Sequence, residues 1–126
     1  SDAYCPPSRL SDGTLRFVCL AALLLQPKPP ALLVIDEPEL GLHPYAITQL
    51  AALLRAAAHK TRLVVATHST TLVNQFEPEH LVIVDRVDGA STFRRPTSVE
   101  IATWLDGYSL GELWEKNVLG GRPSAT

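Results

Sequence analysis

The sequence predicts an α/β layer fold, and three observations carry the prediction. Apolar runs without polar alternation stand at 31–36 and 62–68, as in parallel strands covered on both faces. Helical patterns precede and separate them, giving the order αβαβαββαα. Polar residues gather where the two runs end, at Asp36-Glu37 and Thr67-His68. The carboxyl ends of strands are where open α/β sheets bind ligands.

A length of 126 residues suits one domain with one modest core. Apolar residues at 46% and charged residues at 19% indicate a globular chain rather than a disordered one. The formal charge of -2 gives no global basic footprint for nucleic acid, so DNA contact would need a local patch or other regions. Two cysteines, Cys5 and Cys19, are too few for a metal set, and a reduced, cytoplasmic chain is expected. The longest apolar run, 17–25, has nine residues. That is about half a membrane span, and it lacks a small-residue cleavage site. No membrane partner is expected. Methionine is absent, so a processed start or an origin within a longer protein is expected.

Each element follows from local chemistry. Residues 1–9, with Pro6-Pro7, read as an extended lead-in. A helix over 11–26 has Ser11 or Asp12 as N-cap, and its apolar run from Leu15 to Leu25 predicts burial on most sides. The prolines of "PKPP" end it and lead into the first strand. Pro44 suits the first position of a second helix, to about residue 58, with Ile47, Leu50, Ala51 and Leu54 on one face. "RLVVATH" is the second strand, and Ser69 caps a short helix over 70–74. "HLVIVDRV" at 80–87 is a third strand, and "DGA" predicts a hairpin into a fourth at 91–95. Short helices are expected over 98–105 and 109–115, then a frayed tail. No internal repeat is present.

Three short stretches carry chemistry. Asp36 and Glu37 end the apolar strand. If strand geometry persists they face opposite ways, one toward a hydrated magnesium ion and the other toward a water. Taken alone, the pattern also describes a strand that ends in solvated acids. His68 can bond a phosphate oxygen or orient a water, although lone histidines are commonly surface or capping residues. "LSDGT" combines a hydroxyl, a glycine and the amides of a helix N-terminus. That combination suits an anion or an ordinary N-cap. Asp85, Asp88 and Glu100 read as scattered solvated acids, and Arg94-Arg95 as a surface strand end.

In order, "LSDGT", "LLVIDEPE", "GLHP" and "ATHS" resemble the C-terminal half of the ABC-type ATPases, members of the AAA-family P-loop class. Within these the set is most similar to the soluble branch of RecF, SMC and overcoming-lysogenization-defect ATPases. The likeness is close over 10–85 and extends in style to about residue 123. It implies a partial ATPase domain at 10–117 and a tail at 118–126. The implied fold is the C-terminal part of a P-loop NTPase, a mostly parallel sheet flanked by helices with a terminal β-hairpin.

The resemblance also implies roles. Ser11, Asp12, Gly13 and Thr14 stand at the signature motif, usually LSGGQ, with Asp12 and Thr14 departing from the common form. There Ser11, Gly13 and the helix N-terminus face the γ-phosphate of ATP held by an opposite protomer, and an acid at Asp12 is unfavourable beside a phosphate unless it points away. Asp36 holds the magnesium shell through water, and Glu37 polarises the attacking water. Gly41, Leu42 and His43 occupy the D-loop, and His43 replaces the aspartate usual in transporter ATPases. His68 reaches the γ-phosphate.

One element of the pattern is missing. None of the seven glycines begins the phosphate-cradling GxxxxGK[ST]. The expectation is therefore an enzyme only in combination: ATP and Mg²⁺ as cofactors, a Walker A-bearing N-terminal half supplied in cis or in trans, and a head-to-tail dimer with itself. The setting implied is DNA repair, DNA maintenance or phage defence. The competing reading is a non-hydrolytic dimerisation module with a degenerate ATPase fold. A transporter subunit is disfavoured by "GLHP".

Overall fold

The computed structural model describes residues 11–105. The lead-in, Leu10 of the signature motif, Cys5, the helix expected over 109–115 and the tail lie outside them. The chain divides into two compact units, the break falling after Thr67.

The first unit begins with α1, Asp12–Leu25, capped by Ser11, whose side chain accepts from the Thr14 amide. Strand β1, Leu32–Asp36, follows, then helix α2, Pro44–Ala57, and strand β2, Arg62–Ala66. Strands β1 and β2 pair in parallel with Leu32 opposite Arg62 and Asp36 opposite Ala66. Two bonds start this register: Arg62 N–H donates to Ala31 O at 3.1 Å, and the buried Thr61 hydroxyl donates to Pro30 O. The connection through α2 is the βαβ crossover that parallel pairing requires.

Helix α2 behaves as its periodicity predicts. Ile47, Leu50, Ala51 and Leu54 are buried, with Ala57 added one turn on. Each large aliphatic side chain so buried contributes about 1.5–3 kcal/mol. Pro44 sits at the start of the helix and His43 is its N-cap.

Two burial expectations are corrected. Helix α1 is not buried on most sides: only Gly13 and Leu24 are buried, and Val18 is 51% exposed. Strand β1 is not covered on both faces. Ile35 is buried, but Val34 is 70% exposed, and Leu32 and Val64 are exposed on the same side of the pair. Apolar sequence shows that these faces need cover, but α1 packs on α2, which leaves them open among the described residues.

The second unit holds α3, Thr70–Val73, a 3-10 turn at Pro78–His80, the strands β3, Ile83–Val87, and β4, Ala90–Arg94, and the helix α4, Ser98–Leu105. Ser69 caps α3 through the Leu72 amide, as expected. Asp88 and Gly89, both at positive φ, join β3 to β4 in an antiparallel hairpin. Strand β3 starts three residues later than expected. Pro78 opens a 3-10 turn through His80, and Leu81 N–H closes it onto Pro78 O. α4 matches its predicted limits. Thr97 N–H donates to Glu100 Oε1 at 2.7 Å and Glu100 N–H donates to Thr97 Oγ1 at 3.2 Å, a reciprocal capping box. No described helix is long and apolar enough to cross a membrane.

Candidate functional site

β1 ends at Asp36, which is exposed, and the chain leaves the pleat at once. Glu37, half-buried, has φ 46°, the left-handed conformation that costs a non-glycine residue about 1–2 kcal/mol. The condition for the two acids to diverge by strand alternation is not met: strand geometry ends at Asp36, and the left-handed Glu37 redirects the chain.

Backbone contacts hold Glu37 in place. Its N–H donates to Ala66 O at 2.7 Å, which extends the ladder to β2, and its C=O accepts from Leu40 N–H at 3.3 Å. Arg16 reaches over from α1, and its Nη2 donates to both Asp36 O and Glu37 O at 3.1 Å. One guanidinium nitrogen carries two hydrogens, so both carbonyls are served without a carboxylate being used.

The turn continues inward. Pro38 is fully buried and Glu39 is buried. Glu39 Oε1 accepts from the Thr67 hydroxyl, tying the loop after β1 to the residue after β2. Glu39 Oε2 is buried without a hydrogen-bond partner, an arrangement that costs about 1–3 kcal/mol.

The residues expected to form the signature motif and the D-loop come together beside this turn. Ser11, Thr14, Phe17, Gly41, Leu42, His43 and Ala46 line a hollow of about 270 Å³. The Ser11 hydroxyl donates to Thr14 Oγ1 at 2.7 Å while accepting from the Thr14 amide at 3.1 Å. His43 Nδ1 accepts from Tyr45 N–H at 3.4 Å. Gly13 is buried against the Gly41 backbone: a Cβ on Gly13 would stand 2.2 Å from Gly41 O. Asp12 is exposed in the first turn of α1, where a carboxylate complements the helix dipole. His68 is the first residue of the second unit and is exposed.

Among the described residues no group of three or more His, Cys, Asp or Glu side chains is placed to hold a metal. A magnesium ion that keeps its waters and takes phosphate oxygens needs only one or two carboxylates. Exposed Asp36 at the strand end fits that lesser demand.

Sequence reasoning missed Arg16 and Glu39. Helical spacing shows which face Arg16 shares but not that its partners lie 20 and 21 residues on. The available signal for Glu39 was an acid set between Pro38 and Leu40, in an otherwise apolar turn. Two other readings change. Glu100 is not a solvated acid: Arg94 Nη1 and Nη2 donate to its two oxygens at 2.7 and 3.1 Å. That hydrogen bond is the main reason its carboxyl is held below the usual glutamate range, and it raises Arg94 in turn. Arg95 Nη1 donates to Glu79 O and Leu81 O, so the basic pair is engaged within its own unit.

Comparison with known proteins gives a consistent picture. The family model described as "AAA domain, putative AbiEii toxin, Type IV TA system" matches residues 1–74. A putative ABC transporter ATP-binding protein of Geobacter sulfurreducens is 37% identical over 78 residues, 62% of this chain and 30% of that protein. The phosphonates import ATP-binding protein PhnC of Anaeromyxobacter dehalogenans is 37% identical over 111 residues, 85% of this chain and 20% of that protein. This chain thus spans under a third of either relative. Among solved structures, an SMC head bound to the C-winged helix domain of ScpA superposes with a TM-score of 0.68 at 19% identity, covering 82% of this chain and 31% of that one. An SMC ATPase studied for ATP-driven dimerisation and DNA-stimulated activation gives 0.63 at 17% identity, covering 79% and 62%. These two likenesses show the fold: α/β, of the P-loop ATPase head type.

Proposed function

The chain belongs to the AAA-domain family described as putative AbiEii toxin, Type IV TA system, an ABC-type branch of the P-loop ATPases, and from that premise we propose that it binds and hydrolyses ATP as the C-terminal portion of an ATPase head. The observation that carries the reading is the end of β1. There a left-handed Glu37 is held between α1 and β2 beside an exposed Asp36.

In this reading Asp36 holds the water shell of Mg²⁺ and Glu37 orients and polarises the attacking water. Bound magnesium would supply charge neutralisation along the phosphates. Ser11, Gly13, Thr14 and the α1 N-terminus face the terminal phosphate held by a second, head-to-tail copy, with Asp12 turned outward. Gly41, Leu42 and His43 line the same junction, and His68 approaches the terminal phosphate. Phosphoryl transfer depends mainly on such positioning and charge stabilisation.

The phosphate cradle comes from a Walker A-bearing segment in cis or in trans. The open apolar face of the β1–β2 pair, Leu32, Val34 and Val64, supports a further segment packed on that face, as does the greater length of the relatives. The inferred setting is DNA repair, DNA maintenance or phage defence, in keeping with the SMC-like fold. One observation favours a second reading, a transporter ATP-binding subunit: two curated relatives carry transport names. Co-purification with a membrane permease is the outcome that selects it.

The test joins this chain to a GxxxxGK[ST]-bearing segment and measures magnesium-dependent ATP hydrolysis. Hydrolysis should appear in the joined protein. Glu37→Gln should retain ATP and accumulate the closed dimer, with turnover reduced by about 10²–10⁴-fold, the range for a positioned general base. A joined protein that neither hydrolyses ATP nor dimerises with it would overturn the reading.

A further inference from the structure

We propose that Arg16 is a positioning residue for the water-handling carboxylate, acting through main-chain carbonyls rather than through the carboxylate itself. This rests on the reading of Glu37 given above.

Three facts converge on Arg16. First, Glu37 is in the left-handed region, where a glutamate has no local reason to be: it carries the Cβ that glycine is without and has no short polar side chain like that of asparagine or aspartate. Surroundings must therefore impose the conformation, and such strained residues persist where the structure over-determines them. Second, two carbonyls meet at this strand end, and both accept from one Arg16 nitrogen at 3.1 Å. Charge-assisted bonds of this kind are about twice as strong as neutral ones. Third, two further restraints come from other directions. Ala66 O holds the Glu37 amide from β2, and the Glu39–Thr67 bond anchors the turn two residues on. Of these restraints, Arg16 is the one reaching in from α1.

The consequence is geometric. With Arg16 in place, the Glu37 backbone is held from α1 at the carbonyls of the peptides on either side of its Cα and from β2 at its N–H. The direction in which the Glu37 side chain leaves the backbone is then fixed before substrate arrives. Without Arg16 the peptide can rotate toward the extended conformation that a glutamate prefers, and this displaces the carboxylate. A misplacement near 1 Å is enough to cost about 10²-fold in rate. The same link ties the first turns of α1, which carry Ser11 and Thr14, to the acid pair.

A double-mutant cycle tests this in the joined ATPase, using single-turnover hydrolysis and steady-state kinetics. Arg16→Ala should lower kcat by about 10- to 100-fold with KM little changed. Arg16→Lys should recover part of the loss, because an ammonium can still donate to these carbonyls. In the Glu37→Gln background Arg16→Ala should add almost nothing, since residues acting as a unit are non-additive. An unchanged kcat in Arg16→Ala, or an equal loss in both backgrounds, overturns the positioning role while leaving Glu37 as assigned. Wild-type turnover by Glu37→Gln overturns the assignment of Glu37 instead. If Arg16→Ala does not fold, the same cycle with Arg16→Lys decides between these outcomes.

Discussion

Glu37 and Asp88 share a backbone conformation for opposite reasons. Both have positive φ, 46° and 51°. Asp88 precedes Gly89 in a two-residue hairpin loop, where Asp-Gly is the preferred chemistry and both residues take positive φ. Nothing crowds that turn: a Cβ on Gly89 would meet no atom within 4 Å. Glu37 sits in no such turn, and α1 and β2 hold it from either side. The arginines of the two regions differ in the same way. Arg94 meets a carboxylate, that of Glu100, with two bonds, whereas Arg16 meets two carbonyls. The hairpin uses charge and turn chemistry to build structure. At the strand end, backbone contacts hold a carboxylate in an unfavourable conformation. Conformation alone is therefore a weak sign of function, and what enforces it is the stronger one.

The contrast is broken most severely at the glycines. Gly13→Ala drives a Cβ to 2.2 Å from Gly41 O, backbone against backbone, and should destabilise the first unit by about 1–3 kcal/mol. Gly89→Ala meets only the conformational penalty at φ +78°, about 1 kcal/mol. Urea unfolding of the two variants orders them, and an equal loss would mean that the Gly13–Gly41 approach is not tight.

Acid gives a smaller effect at the Arg94–Glu100 pair of the second unit. Glu100 has a folded pKa below its unfolded value, chiefly through the Arg94 hydrogen bond. Its contribution is therefore complete above the ordinary glutamate pKa and is lost as pH falls through the lowered folded value. For a pair with one partly exposed partner this amounts to about 0.2–1 kcal/mol. Protection against amide exchange at the start of α4, the ratio of intrinsic to observed rate, should fall over that acidic window in the wild type, and Glu100→Gln should remove that pH dependence.

Much of the fold was legible because it is local. The α2 face at Ile47, Leu50, Ala51 and Leu54, the Ser69 cap, the Asp88-Gly89 hairpin and the limits of α4 all follow from spacing or from one residue's chemistry. The acid pair and the glycines of the site were legible as motifs. Arg16 with Asp36 and Glu37, and Glu39 with Thr67, were not, because their partners lie 20 to 28 residues away and no periodicity encodes such meetings. Burial misled for a related reason. The apolar runs of α1 and β1 record what the faces need, not what the described residues supply.

The central claim is that the strained backbone at Glu37 carries a carboxylate required for turnover, and a paired glycine substitution tests it most directly. Glu37→Gly and Asp88→Gly remove the same conformational penalty, so each should leave stability within about 1 kcal/mol of wild type. In the joined ATPase, the account predicts that Glu37→Gly loses about 10²–10⁴-fold in turnover while Asp88→Gly hydrolyses ATP at the wild-type rate. A folded Glu37→Gly protein with wild-type turnover would contradict it.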